Sequence, residues 1–468
     1  MAGGEVRARG NIIPFIPARY IFAVLGSIAM AIIYGLKVNL SVAMVAMVNH
    51  TAVKMNNPHA SDSHNVLQNV TGVEECEADI KNSSSAKNQD GPFDWTSNEQ
   101  GIILSSWRGG VWMVVIMRIL QGIGGGVTFP AEHTMISNWA PPSERSTISS
   151  IIYAGTALGT VISMLMAGML ADAFGWASIF YVMGGLSCIW MVLWVFFIYD
   201  TPSLHPLIDQ SERDYIVSSL NSGGEHGPPK KIPWKAIMTS IPFLGILIAH
   251  TCNNWGWYML LIELPIYMKG VLKFEIKENA TYTAIPFFTL WLFSIIISKT
   301  LDTLRCKGSI TTTTARKIST FIASFIPMCC MIALCFIGCN KMAAVFIAGV
   351  GVTSIGAMFS GFLSNHIDIA PNLAGILMAV TNTVATLPGI TVPIFVGELT
   401  HKDPTIASWR IIFGVTIVLY IIEIFAYMTM GSGEPQPWND VDSIDKSGPE
   451  ATPLKSREQS DYKTKDED

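Results

Sequence analysis

Long apolar runs, almost free of Asp, Glu, Lys and Arg, decide what this chain can fold into. They lie at 20–48, 101–130, 147–171, 177–199, 242–266, 283–300, 318–338, 343–364, 373–396 and 410–431. A helix rises 1.5 Å per residue, so about 20 apolar residues cross the roughly 30 Å hydrocarbon core of a bilayer. In lipid the backbone amides can bond only to one another, so each run is read as a helix. Of the 468 residues 50% are hydrophobic and only 14% charged, where soluble domains carry roughly a quarter. The expected fold class is all-α integral membrane, with about ten spans in two helical bundles.

Composition also excludes classes. The net charge of −5 has no basic patch, so no nucleic-acid partner is expected. The eight cysteines form no disulfide framework: Cys329, Cys330, Cys335 and Cys339 fall in or beside one apolar run, and Cys76 is alone in the hydrophilic loop. No Cys/His pair has zinc-ligand spacing in a polar context. There is no phosphate-binding glycine loop, no HExxH and no Ser/His/Asp set in one plausible cleft, so neither an enzyme nor a bound cofactor is expected. The first run is too long for a signal-peptide core and reads as a retained span.

The charges cluster between the runs and divide the chain. Residues 1–19 form an N-terminal arm, 20–199 a first bundle with a long hydrophilic loop at 49–100, and 200–241 a linker that includes Pro202, Pro206, Pro228 and Pro229. A second bundle follows at 242–431, and 432–468 reads as a disordered tail. The first bundle has four runs and the second six. Arg7, Arg9 and Arg19, then Arg213, Lys230, Lys231 and Lys235, then Arg305, Lys307, Arg316 and Lys317 share one side if both termini are cytoplasmic. Lys269, Lys273 and Lys277 go against this, diluted by Glu275 and Glu278. The sequons at Asn49, Asn69, Asn82 and Asn279 all fall on the opposite side, as glycosylation requires.

Charged and amide side chains inside spans are costly and invite functional readings. Lys37, deep in the first span, either lines an anion path or snorkels to the far face. Arg118 keeps its proton, so within a span it needs an anionic partner or water; the glycines from Gly122 to Gly126 would let a helix or a solute approach the backbone. Glu132 and His133 follow Pro130 and are candidates for proton coupling, against the bland alternative of a solvated helix end. Gly155 and Gly159 make a small-xxx-small helix-packing pattern. Asn254 lies among Asn253, Trp255, Trp257 and Tyr258, with His250 a turn earlier, and suits a polar solute or an interhelical hydrogen bond. His366 and Asp368 end the eighth span in Asn365-His-Ile-Asp-Ile-Ala-Pro371. Asn382 and Pro388-Gly389 interrupt the ninth, in the manner of transporter helices broken near a site.

Several stretches together resemble one family. They are Lys37-Val-Asn-Leu-Ser-Val-Ala-Met-Val45, Gly126-Val-Thr-Phe-Pro-Ala-Glu-His133, Trp139-Ala-Pro-Pro-Ser-Glu-Arg-Ser146, Tyr153-Ala-Gly155, and Asn365–Pro371 with Ala374-Gly375. The set is similar to solute carrier family 17 of the major facilitator superfamily, which includes sialin, the vesicular glutamate transporters and the sodium–phosphate cotransporters. The resemblance implies proton- or sodium-coupled transport of a small organic or inorganic anion through a cavity between two six-helix halves, by a monomer. Arg118 matches the family's intramembrane arginine in its fourth helix, and Lys37 stands where many members carry an arginine. Tyr153, Asn254 and Asn382 join them as expected substrate contacts, with Glu132, His133, His366 and Asp368 as coupling or gating groups. Glutamates that some members place after the arginine are Gln121 and Gly125 here.

One departure is large. Gly101–Trp107 resembles the start of the family's second helix, yet runs through Arg108-Gly-Gly into its fourth, so two helices and their basic turn are missing. Removing two spans is an even change and preserves the sidedness of everything after the junction. The alternative function this raises is a transport-inactive shortened form that binds partners in the membrane. The expected location is a plasma, endolysosomal or vesicle membrane.

Overall fold

A computed structural model describes residues 17–47, 111–221, 232–264, 267–268, 271–272, 276–338, 340–400 and 405–439. The sequons at Asn49, Asn69 and Asn82 lie outside these residues; Asn279 falls in the first turn of a helix. The first half comprises α1 (Ala18–Met47), α2 (Val111–Gly126), α3 (Thr128–Trp139), α4 (Arg145–Phe174) and α5 (Ala177–Phe197). The linker carries α6 (Gln210–Asn221) and α7 (Trp234–Met238). The second half comprises α8 (Ile241–Tyr258), α9 (Ile276–Cys306), α10 (Thr312–Phe336), α11 (Lys341–Ile355), α12 (Phe362–Ile369), α13 (Ala374–Ala385), α14 (Pro388–Thr400) and α15 (Ile406–Met430). No strand occurs among the described residues.

The apolar and polar surfaces are reversed relative to a soluble protein. Phe196, Phe336, Phe346, Ile394 and Phe425 are exposed, while His133, Arg316, Asn365, His366 and Glu423 are fully buried. Such an outside suits hydrocarbon, and such an inside must satisfy its polar groups internally. Among the described residues, eight helical stretches are long and apolar enough to cross a membrane. The described parts of the two other expected spans, 101–130 and 242–266, are largely helical but fall short for separate reasons. Val127 is a turn between α2 and α3, after glycines that weaken a helix, and residues 101–110 lie outside the description. The helix α8 carries His250, Thr251, Asn253 and Asn254, which lower its hydropathy, and it continues as a π-turn at Met259–Glu263.

The helices cross closely where glycine allows it. A Cβ on Gly155 or Gly159 would stand 2.2 Å from the carbonyl oxygen of Ser27 or Ala31 in α1, so this pair does set helix packing. Gly122, Gly124, Gly125 and Gly126 differ: nothing among the described residues stands within 4 Å of a Cβ placed there. The expected close neighbour of α2 is therefore not found in the described structure, and Ile116, Ile119, Leu120 and Ile123 of α2 are exposed.

The tail corrects an expectation. Residues 432–439 do not hang free. Gln436 N donates to Ile369 O at 2.7 Å, Asn372 N donates to Asn439 Oδ1 at 3.1 Å, Gly433 N donates to Thr313 Oγ1 at 2.9 Å, and Trp438 is buried. A tryptophan beside amides that find backbone partners can pack where composition alone reads as tail. The linker is tied down as well. Glu212 of α6 accepts from Ala18 N at 2.8 Å and Arg19 N at 3.2 Å, capping the first turn of α1, where a carboxylate also suits the helix dipole.

Candidate functional site

The two halves meet where α3 packs on α13, and α4 on α9 and α12. At the end nearest the linker they are latched. Asp368 at the end of α12 accepts from Arg145 Nη1 of α4 at 3.1 Å and from Arg316 Nε of α10 at 2.6 Å. Arg316 Nη1 also donates to Ser146 Oγ at 2.6 Å and Ser360 O at 2.7 Å. Beside this, Asp302 of α9 accepts from Thr147 N and Thr147 Oγ1, both at 2.8 Å, at the start of α4, and from Arg305 at 3.0 Å. Carboxylates here meet α4's first turn, where free N–H groups and the helix dipole favour them. Buried charges are tolerated only when paired this fully. The sequence reading placed Arg316 with loop charges, but it is 1% exposed.

Above the latch, a hydrogen-bonded string joins the halves. Tyr153 of α4 bonds through its hydroxyl to His133 Nδ1 of α3. His133 Nε2 donates to the carbonyl of Leu363 in α12 at 2.9 Å. His366 Nδ1 donates to that same carbonyl at 2.9 Å, and Thr381 Oγ1 of α13 donates to His366 Nε2 at 2.8 Å. His250 Nδ1 of α8 then donates to Thr381 Oγ1 at 3.2 Å. This is the tautomer assignment that gives every bond one proton. In it His133 and His366 each use one nitrogen as donor and the other as acceptor, so both are neutral. A proton added to either imidazole displaces a donor and forces a hydroxyl to turn. The His133 and His366 rings stand edge to face, 5.4 Å apart.

Next comes an aromatic floor: Phe359, Tyr153, Phe129 and Tyr34 follow one another at 5.4–6.5 Å between ring centroids. Lys37 Nζ lies 4.8 Å from the Tyr34 ring centroid, in cation–π range. Glu132 is buried with Oε2 unpaired among the described residues, facing α1 where a Cβ on Gly26 would stand 3.2 Å from it. The solvated helix end offered for Glu132 and His133 is therefore set aside: both are inside.

The expected residues divide as follows. His133, Tyr153, His366 and Asp368 fall between the halves, while Glu132 faces α1 and Lys37 lies against Tyr34 of its own helix. Asn254 Nδ2 donates to Ala385 O at 2.7 Å and so joins α8 to the end of α13. Asn382 is half-buried in α13, and its carbonyl accepts from Thr386 N at 2.9 Å at the break before Pro388. Arg118 lies in α2, but its side chain is outside the described residues. Sequence reasoning missed Thr381, Arg145 and Arg316 as site residues and left His250 unconnected. Thr381 and His250 stand 131 residues apart, and spacing carries no sign of such a contact. No group of three or more His, Cys, Asp or Glu side chains suited to a metal ion occurs among the described residues.

Comparison with known proteins fits this geometry. Residues 101–393 match the Major Facilitator Superfamily model. A putative inorganic phosphate cotransporter of Drosophila melanogaster is 36% identical over 90% of this chain and 86% of its own length. Human sialin is 34% identical over 90% of each chain. Vesicular glutamate transporter 2.1 of Danio rerio is 34% identical over 91% of this chain and 76% of its own. Among solved structures, the proton:xylose symporter XylE bound to 6-bromo-6-deoxy-D-glucose superposes with a TM-score of 0.53 at 15% identity, over 91% of this chain and 88% of that one; at that identity the likeness speaks for the fold alone.

Proposed function

Because this chain belongs to the major facilitator superfamily, and within it to the family of sialin, the vesicular glutamate transporters and the phosphate cotransporters, we propose that it carries a small anion across its membrane in symport with protons. It is a multi-pass membrane transporter by family, not an enzyme. Sialic acid, glutamate and phosphate are the candidate cargoes, since each presents anionic oxygens that Lys37 and Arg118 could neutralise.

The observation that carries the proton reading is the neutral string from Tyr153 to His250. It crosses the boundary that alternating access must open. Its His133–Leu363 bond joins one half to the other and breaks when the halves part. Protonating an imidazole rewires the same bonds, so proton binding and opening bias each other. With the linker side cytoplasmic, the latched ends are cytoplasmic and the Lys37 end faces the lumen or the exterior.

The test is uptake of labelled phosphate, glutamate and sialic acid into proteoliposomes under an imposed proton or sodium gradient. Accumulation of one anion with the proton gradient is expected. Accumulation with sodium alone would replace the coupling ion, and no uptake of any anion by correctly inserted protein would overturn the reading.

The exposed apolar face of α2 favours a second reading, a shortened form that binds a full-length relative in the membrane. Co-purification with that relative, without transport by the chain alone, would support it.

A further inference from the structure

The second half holds a buried carboxyl that neither the latch nor the histidine string uses. Glu423 lies in α15, about 10 Å along the helix from its latch end at 1.5 Å per residue, and is fully buried. Its Oε1 accepts from Asn253 Nδ2 of α8 at 3.0 Å and from Ser324 Oγ of α10 at 2.6 Å. Its Oε2 has no hydrogen-bond partner among the described residues. Among the described residues it forms no ion pair. A carboxylate this deep, with no cation beside it, needs a neutralising charge. Both donors sit on one oxygen, which leaves the other to carry it.

The surroundings point to more than a polar core. Among the described residues Tyr420 OH and Asn253 Oδ1 beside Glu423 are buried and unpaired, and towards the latch the buried hydroxyl of Tyr427 stands against the side chains of Thr320 and Asn365. Native interiors hold few orphans of this kind. Here they share one face. Tyr420, Glu423 and Tyr427 follow at helical spacing on α15, and Thr320 and Ser324 on α10. Tyr427 lies beside Thr320 and Asn365 and within electrostatic reach of Arg316 and Asp368. The titratable groups facing Glu423 are Cys252 from α8, Tyr420 from its own helix and, through Tyr420, Cys330 from α10. His250 points away from it, to Thr381.

We propose that Glu423 is a second proton site of this transporter, in the core of the second half, and that its charge state is felt at the Arg316–Asp368 latch through Tyr427, one turn along α15 and within electrostatic reach of both. Gly256 is part of the arrangement, because a Cβ there would stand 1.9 Å from Tyr420 OH. The role in coupling rests on the transport reading above; the proton site itself does not.

Two measurements on the full chain separate these. In purified protein, dicyclohexylcarbodiimide modifies protonated buried carboxyls, and peptide mapping by mass spectrometry reads Glu423. Labelling is expected at acidic and neutral pH, falling about tenfold per pH unit above a midpoint, as a single-proton titration requires, and unchanged by sodium. No labelling, labelling that ignores pH, or protection by sodium would overturn the proton site. In proteoliposomes carrying whichever labelled anion the wild type moves, Glu423→Gln is expected to keep anion exchange and lose accumulation driven by the proton gradient, and Glu423→Asp to restore part of it. Wild-type accumulation by Glu423→Gln, or loss of exchange in both variants, would overturn the coupling role. If the wild type moves no anion, the transport reading falls while the labelling still decides the site.

Discussion

The two halves of this molecule handle burial differently. In the first, α1 and α4 pack backbone to backbone at Gly155 and Gly159, yet α2 shows bare glycines and exposed isoleucines. In the second, α8 to α15 surround a polar interior of Arg316, Asp368, Asn365, His366 and Glu423. Besides Arg145 in the latch, the first half keeps Lys37 on α1 and Arg118 on α2. The second keeps most of the hydrogen-bonded groups that must change partners. One half is thus suited to meeting a solute, and the other to holding the switch.

Breaking the latch should have the largest effect. Asp368→Asn leaves two buried guanidiniums without their shared carboxylate, and losing one partner of a buried pair costs about 3–5 kcal/mol. The melting temperature in detergent should fall sharply; an unchanged value would show that the latch does not carry the load. Next come the two glycine faces. Gly159→Leu should cost about 1–3 kcal/mol by overpacking against α1, while Gly125→Leu should change stability by less than about 0.5 kcal/mol. An equal loss in both would mean that α2 is covered after all, and the contrast between the halves would shrink. Tyr153→Phe removes the hydroxyl on His133, which should cost about 0.5–1.5 kcal/mol and alter the pH profile of uptake; an unaltered profile would detach the string from coupling.

The smallest effect lies at the elbow after α5. His205 accepts from Leu207 N at Nδ1 and donates from Nε2 to Phe197 O, each at 3.2 Å. Burial holds its imidazole below the ordinary 6.5. The fold therefore binds fewer protons than the unfolded chain in that window. Its contribution is present above pH 6.5 and is lost as pH falls through the lowered value. The protection of residues 198–209 against hydrogen exchange, taken relative to the intrinsic rate at each pH, should fall on acidification, and His205→Gln should remove that dependence.

Much of the fold could be read from the sequence, because hydrocarbon imposes one simple demand on each apolar run. The Gly155/Gly159 packing and the break at Pro388 followed from local chemistry. What escaped depends on long-range partners. Arg316 looked like a loop charge because nothing local shows Asp368 waiting 52 residues on. Glu423 did leave a signal, a lone carboxylate inside an apolar run, but its meaning rests on Asn253 and Ser324, which only folding brings to it. The 432–439 strap was hidden because Trp438 is a single apolar residue in a polar stretch.

That strap has a practical consequence for anyone handling the protein. Through Gly433, Gln436 and Asn439 it ties the start of α10 to the end of α12, the two segments that present Arg316 and Asp368. A purification tag or fluorescent reporter joined downstream of Asn439 leaves this knot intact. One joined at Gly431 cuts it, and would report on a gate whose hinge had already been loosened.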